Sequence, residues 1–276
     1  MKRQISVHRT DFFGTSKRGA RCARFVSTPK LGQSERLPAQ LAFALVGVVT
    51  RAIRIGLLGG SFNPAHGGHR RISLFAREAL GLDEVWWLVS PGNPLKPEEG
   101  MAPLAARYRS AVRQARRVPI RVTAIEREFH TRYTLDTLRS LLRRYPKRRF
   151  VWLMGSDNLA IFHRWKGWRD IARLVPIAVI ARPGYDAAAI ASPAMAWLRR
   201  YRTTPAAFRK QGRWRAPALV ILRFDPDPRS ATAIRRADPD WAADFDTDAA
   251  PQWSLRDQVT HRPIASLSTS TVSKPA

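Results

Sequence analysis

Between residues 51 and 236, continuous apolar runs alternate with stretches of helical period. Ile53-Arg54-Ile55-Gly56-Leu57-Leu58 predicts a buried strand. His69 to Leu80 predicts a helix, with Ile72, Leu74, Phe75, Ala79 and Leu80 as its apolar positions. Val85 to Val89 predicts a second strand, Leu104 to Arg116 a helix and Ile120 to Ile125 a strand. Thr134 to Tyr145 predicts a helix with Leu135, Leu138, Leu141 and Leu142 on one side. Phe150 to Met154 and Ile177 to Ala181 read as strands around a short helix, Trp168 to Leu174. Leu219 to Phe224 closes the series as a strand, followed by a helix from about Thr232. Apolar strands without polar alternation, separated by helices, predict a parallel sheet covered on both faces. The expected class is therefore a doubly wound α/β domain, which binds ligands at the carboxyl ends of its strands. Residues 182–217 interrupt the pattern as an irregular insert rich in Arg, Trp, Pro and Ala, with Met195 to Leu198 as a short helical stretch.

The two ends lack this patterning. Residues 1–50 carry a net charge of +7 and no clear period, and residues 237–276 carry −3, an Asp cluster and a Ser/Thr stretch. Both are expected to be disordered extensions, because they offer too little apolar area to offset the entropy of ordering. The folded domain is expected over 51–236.

Composition narrows the class. The chain has 276 residues, 45% of them hydrophobic, and nine Trp, which suits a globular protein with a substantial core. The single cysteine, Cys22, excludes an internal disulfide framework and a Cys-rich zinc site. The longest apolar run, Leu41 to Val49, is too short to span a bilayer. A soluble, cytoplasmic protein is expected. The formal charge of +27 asks for an anionic partner, either nucleic acid or a phosphorylated small molecule. Only eight of the 48 basic residues are Lys, so an arginine-favouring composition accounts for much of the excess.

The chemistry concentrates after the first strand, in Gly59-Gly60-Ser61-Phe62-Asn63-Pro64-Ala65-His66-Gly67-Gly68-His69. Glycines let the backbone approach a ligand closely. The helix that follows offers unpaired N–H groups and a partial positive charge, which suit phosphate. His66 and His69 can donate to phosphate oxygens as charge builds in a transition state. The stretch is neither a Walker loop nor the dinucleotide fingerprint, since both spacings differ. No third His, Cys or carboxylate stands nearby in sequence, so a metal held by the protein is not expected.

This stretch resembles the His/Thr-x-Gly-His motif of the nucleotidyltransferase superfamily, and in its longer form the bacterial nicotinate-nucleotide adenylyltransferases. Matches continue in the family's order through Pro91 to Lys96, Tyr133 to Leu138, Gly155 to Leu159, Phe162 to Trp165, Ala181 to Tyr185 and Ser230 to Arg235. Together they cover roughly residues 53–236. Two departures stand out. Arg229 occupies a position usually apolar in the family, and the chain after Arg236 does not resemble the usual C-terminal segment.

The resemblance implies a Rossmann-like fold of the nucleotidyltransferase type. It also implies adenylyl transfer from ATP to nicotinate mononucleotide, with Mg²⁺ accompanying ATP. It assigns His66, His69 and Arg235 to catalysis. Gly59, Gly60, Ser61, Phe62, Gly155, Asp157, Arg182, Ser230 and Thr232 are assigned to ATP, and Asn93, Lys96, Tyr133, Thr134 and Trp165 to the nicotinate nucleotide. Rival readings are the same fold acting on nicotinamide mononucleotide or phosphopantetheine, and a basic nucleic-acid-binding protein. The scattered arginines and the lack of a legible nucleic-acid module argue against the last. The expected partners are the two small substrates, with no specific nucleic acid and no membrane. The oligomeric state is left open.

Overall fold

The structure is a computed structural model that describes residues 51–92, 100–181, 184, 186–212, 214–224, 229–245 and 255–264. Its elements run in the order β1 (Ile53–Gly60), α1 (Gly67–Leu80), β2 (Glu84–Val89), α2 (Leu104–Gln114), β3 (Ile120–Thr123), α3 (Ile125–Glu128), α4 (Thr134–Arg144), β4 (Arg148–Gly155), α5 (Ser156–Ile161), α6 (Trp168–Leu174) and β5 (Ile177–Ile180). There follow α7 (Asp186–Ile190), α8 (Pro193–Leu198), β6 (Arg202–Thr203), α9 (Pro205–Lys210), β7 (Leu219–Leu222) and α10 (Ala231–Ala237). The strands form one seven-stranded sheet in the order β3-β2-β1-β4-β5-β7-β6. Every pairing is parallel.

Strand geometry sends successive side chains to opposite faces. Leu58, Trp87, Val151 and Val220 join Ala76 and Leu80 of α1, Tyr108 and Ala111 of α2 and Phe208 of α9 in one buried cluster. Leu57, Trp86, Trp152 and Leu219 join Leu138 of α4, Leu159 of α5, Ile171 of α6 and Leu198 of α8 in another. The neighbouring tryptophans 86 and 87 thus serve different faces. The sheet is doubly wound, as the apolar runs predicted.

The insert is more regular than expected. It builds α7, α8, α9 and the two-residue β6, which extends the sheet beyond β7. Its helix starts were written as Ser192-Pro193 and Thr204-Pro205, a hydroxyl N-cap followed by proline at the first helical position. Ser192 accepts from the N–H of Met195 at 3.1 Å, and Thr204 from that of Ala207 at 3.1 Å.

The boundary at residue 236 also moves. Trp241 and Phe245 are buried against Ala106. Residues 255–264 lie along the free side of β3, with Asp257 and Ile264 buried. The Gln258 N–H donates to the Val122 carbonyl at 3.2 Å, and its side-chain oxygen accepts from the Val122 N–H at 2.8 Å. One residue thereby satisfies both exposed backbone groups of Val122. The remaining residues of the two ends lie outside the described residues. Among those described, no helix is long and apolar enough to cross a membrane.

Candidate functional site

The sheet opens where β1 and β4 part. Their pairing ends at Leu58 and Leu153, whereas β1 stays paired to β2 through Gly60 and Val89. The crevice therefore begins at Gly59-Gly60, at the point where the strand order reverses, the usual ligand position in such sheets. A Cβ on Gly59 would lie 2.8 Å from Trp152 Cη2, so the buried indole reserves this position for glycine.

The loop from Ser61 to His66 carries the chain into α1. His66 is the N-cap, and its Nδ1 accepts from the Gly68 N–H at 3.1 Å. The His66 N–H donates in turn to His69 Nδ1 at 3.2 Å. Two imidazoles thus make a reciprocal capping box. A Cβ on Gly68 would sit 2.8 Å from the His66 ring, so a glycine here lets the imidazole close over the helix end. Because each Nδ1 accepts, the ring proton is placed on Nε2 as the donor. The two ring centroids are 3.9 Å apart. Capping and phosphate binding are therefore compatible roles for the same side chains.

Phe62, expected to line the nucleotide cleft, is instead buried. Its ring stacks on Trp87 at 5.1 Å and backs His69 at 4.9 Å, which makes it a support for the imidazole. Its φ of 48° is left-handed, part of the sharp turn out of β1.

Arg235 crosses from α10 and donates through Nη1 to the Asn63 carbonyl at 2.6 Å. This bond joins the two expected phosphate motifs. Ser230 caps α10 by accepting from the Ala233 N–H at 3.1 Å, and Thr232 Oγ1 accepts from Arg235 Nη2 at 3.4 Å. The Arg229 guanidinium lies against Gly67, where an added Cβ would collide with its Nη1. Gly155 ends β4 and Asp157 is the second residue of α5, on the far side of the same crevice.

Tyr133 is the N-cap residue of α4 and Thr134 its first residue. Tyr133 is 41% exposed, and Lys166 Nζ sits 4.4 Å above its ring. Trp165 is packed edge-on against Phe162 and Trp152, so its core contacts are as evident as any open face. Asn93, Lys96 and Arg182 lie outside the described residues.

The structure adds two buried ionisable groups. Arg107, on α2, donates to the carbonyls of Ala102 (2.8 Å), Ser61 (2.8 Å), Ser90 (2.7 Å) and Pro91 (3.4 Å). Burial lowers its pKa to about 10, so it stays charged at neutral pH. Its signal in the sequence was a charge on the apolar stripe between Leu104 and Ala111. Glu126, in α3, is buried beside the hydroxyls of Thr137 and Ser90.

Burial pushes the Glu126 carboxyl up to about 7, opposed by hydrogen bonds from Thr137 and Ser90. Between the unperturbed value of 4.5 and about 7, the native state keeps a proton that the unfolded chain has released. This contribution is full below the lower value and is lost as pH rises through the window. The expected loss is about 3 kcal/mol. Glu126→Gln removes the titration. Urea unfolding at pH 5 and pH 8 should show the variant gaining on wild type at the higher pH, and an unchanged difference would refute this.

The cytidylyltransferase-like family matches residues 57–237. A protein of Erythrobacter litoralis (strain HTCC2594) described as "Probable nicotinate-nucleotide adenylyltransferase" is 72% identical over 216 residues, covering 78% of this chain and 96% of that one. The chain belongs to the nicotinate-nucleotide adenylyltransferase family. A relative from Bradyrhizobium sp. (strain ORS 278), described in the same words, is 49% identical over 68% of this chain and 98% of its own length. Among solved structures, the nicotinic acid mononucleotide adenylyltransferase of Plasmodium falciparum, complexed with NaAD, shares the fold. It does so with a TM-score of 0.50 at 14% identity, over 67% of this chain and 83% of that one. The adenylyltransferase family thus extends across the doubly wound core, with the Erythrobacter relative matched over nearly its whole length.

Proposed function

We propose that the chain transfers the adenylyl group of ATP to nicotinate mononucleotide, giving nicotinate adenine dinucleotide and pyrophosphate. The observation that carries this reading is the His66–His69 pair at the entrance of α1, tied through Asn63 to Arg235 at the crevice between β1 and β4. In the reaction, a phosphate oxygen of the mononucleotide bonds to the α-phosphorus of ATP. The bond to the bridging oxygen breaks, and pyrophosphate leaves with its electron pair. The nucleophile is already an anion, so positioning and charge stabilisation suffice.

In this reading His66 and His69 donate from Nε2 to the ATP phosphates, and the N–H groups of the first turn of α1 add their partial charge. Arg235, Ser230 and Thr232 hold the β and γ phosphates, where a planar guanidinium fork suits phosphate geometry. Gly59, Gly60 and Ser61 give the nucleotide a close backbone approach, and Gly155 and Asp157 face the adenosine. Tyr133, Thr134 and Trp165 surround the nicotinate. The family resemblance further assigns Arg182 to ATP and Asn93 and Lys96 to the mononucleotide. Among the described residues no group of three His, Cys, Asp or Glu is placed to hold a metal. Mg²⁺ would arrive on the phosphates of ATP and supply neutralising charge there.

A pyrophosphate-release assay with ATP and each mononucleotide tests the reaction. Release is expected with nicotinate mononucleotide and should exceed that with nicotinamide mononucleotide. No release with the former would overturn the reading.

A further inference from the structure

We propose that Arg107 is a positioning residue for this transfer, holding the loop after β1 and the loop after β2 at a fixed separation. The Arg107 side chain is almost wholly buried, at 2% exposure. Among the described residues no carboxylate pairs with it. Its partners are backbone carbonyls, and they come from three places: Ser61 just past β1, Ser90 and Pro91 just past β2, and Ala102 ahead of α2. Nη1 alone bridges Ser61 and Ser90.

Core packing does not call for this charge. The neighbouring positions on the same helix face, Leu104 and Ala111, are apolar, and a leucine or methionine would continue them. A guanidinium offers five donors in a rigid planar fork, which suits it to gathering carbonyls from several segments at once. An ammonium is a compact point charge and lacks that reach.

Further bonds show what the fork organises. The Ser90 N–H donates to the Gly60 carbonyl at 3.0 Å, so the two loops also touch directly. Asn63 repeats the pattern from the histidine side, donating to the Gly100 carbonyl at 2.9 Å and accepting from the Ala102 N–H at 3.2 Å. One turn along α2, Ser110 Oγ accepts from the Ala65 N–H at 3.2 Å, next to the N-cap histidine. Helix α2 therefore serves as a common anchor for both loops. Its role rests on the proposed reaction, in which the first loop leads to the ATP phosphates and the second to the mononucleotide. In-line attack needs those two ligands aligned, and a displacement near 1 Å costs on the order of 10²-fold in rate.

The test is Arg107→Lys in the full chain. Each substrate keeps its own half of the site, so calorimetric affinities for ATP alone and nicotinate mononucleotide alone should stay within about threefold of wild type. The value of kcat should fall at least about tenfold. Binding of nicotinate adenine dinucleotide, which spans both halves, should weaken more than binding of either substrate. A folded Arg107→Lys with wild-type kcat and only a lower Tm would overturn the role and leave the reaction standing. Wild-type protein that releases no pyrophosphate would overturn both. Should the variant fail to fold, the wild-type protein decides through the NMR resonances of the Arg107 Nη1 protons, which donate to Ser61 and Ser90. They should shift with ATP alone and with the mononucleotide alone, and resonances that move with neither overturn the role.

Discussion

His69→Ala should lower kcat by about 10²-fold or more, the usual cost of losing a positioned transition-state donor. The structure adds a second, smaller effect. His69 Nδ1 accepts from the His66 N–H, so the alanine variant also loses one arm of the capping box. A lost cap costs about 1 kcal/mol. The ring further loses its contacts with Phe62 and Trp87. The two effects separate experimentally: thermal unfolding reports the cap, and kcat at saturating substrates reports the donor. His69→Asn offers a side chain able to restore the cap with a shorter reach, so it should recover stability more than turnover. Wild-type turnover by His69→Ala would sink the catalytic role.

Asp257→Ala should be the most damaging single change to stability. The buried carboxylate accepts from Thr123 Oγ1 at 3.0 Å and from the Ala124 N–H at 2.7 Å through one oxygen. Its other oxygen accepts from the N–H groups of Val259 and Thr260, both at 2.9 Å. Alanine strands buried donors on both sides of the contact, at about 1–3 kcal/mol for each unsatisfied group. A total near 4 kcal/mol lowers Tm on the order of 10 °C in a domain of this size. Asp257→Asn keeps one acceptor oxygen and should fall between. A Tm within about 2 °C of wild type would show that the segment contributes little.

The same residues explain what was legible in the sequence. Long apolar strands and the histidine loop could be read because one local pattern determines each. The strand predicted over Ile120 to Ile125 stops at Thr123 for a reason that lies 134 residues away. The Thr123 hydroxyl donates to Asp257 and accepts from the Ile125 N–H at 3.1 Å, turning the chain into α3. No local pattern announces such a partner. The burial of Phe62 against Trp87 and His69 was not legible because a motif gives proximity to a ligand but not the direction of a side chain. The arginine excess was read as compositional, yet several arginines hold carbonyls in place. Arg54 binds those of Arg209 and Gln211, Arg70 those of Gln114 and Arg116, and Arg109 that of Phe245. Lysine substitutes poorly in such multi-pronged contacts. What part of the +27 charge does was visible only once the carbonyls were in view.

The segment along β3 also sets an order of events during synthesis. An edge strand with unpaired N–H and C=O groups invites pairing with another chain. Here the Val122 groups are met by Gln258, and the one proton of Tyr108 Oη is shared between the carbonyls of Val122 and Arg256 while the oxygen accepts from the Gln258 N–H. Everything else in that corner of the sheet has left the ribosome long before Gln258 does. At about 5–20 residues per second, the edge stays open for several seconds of translation. The nascent chain presents that edge to misassociation throughout the interval, and the arrival of Gln258 closes it.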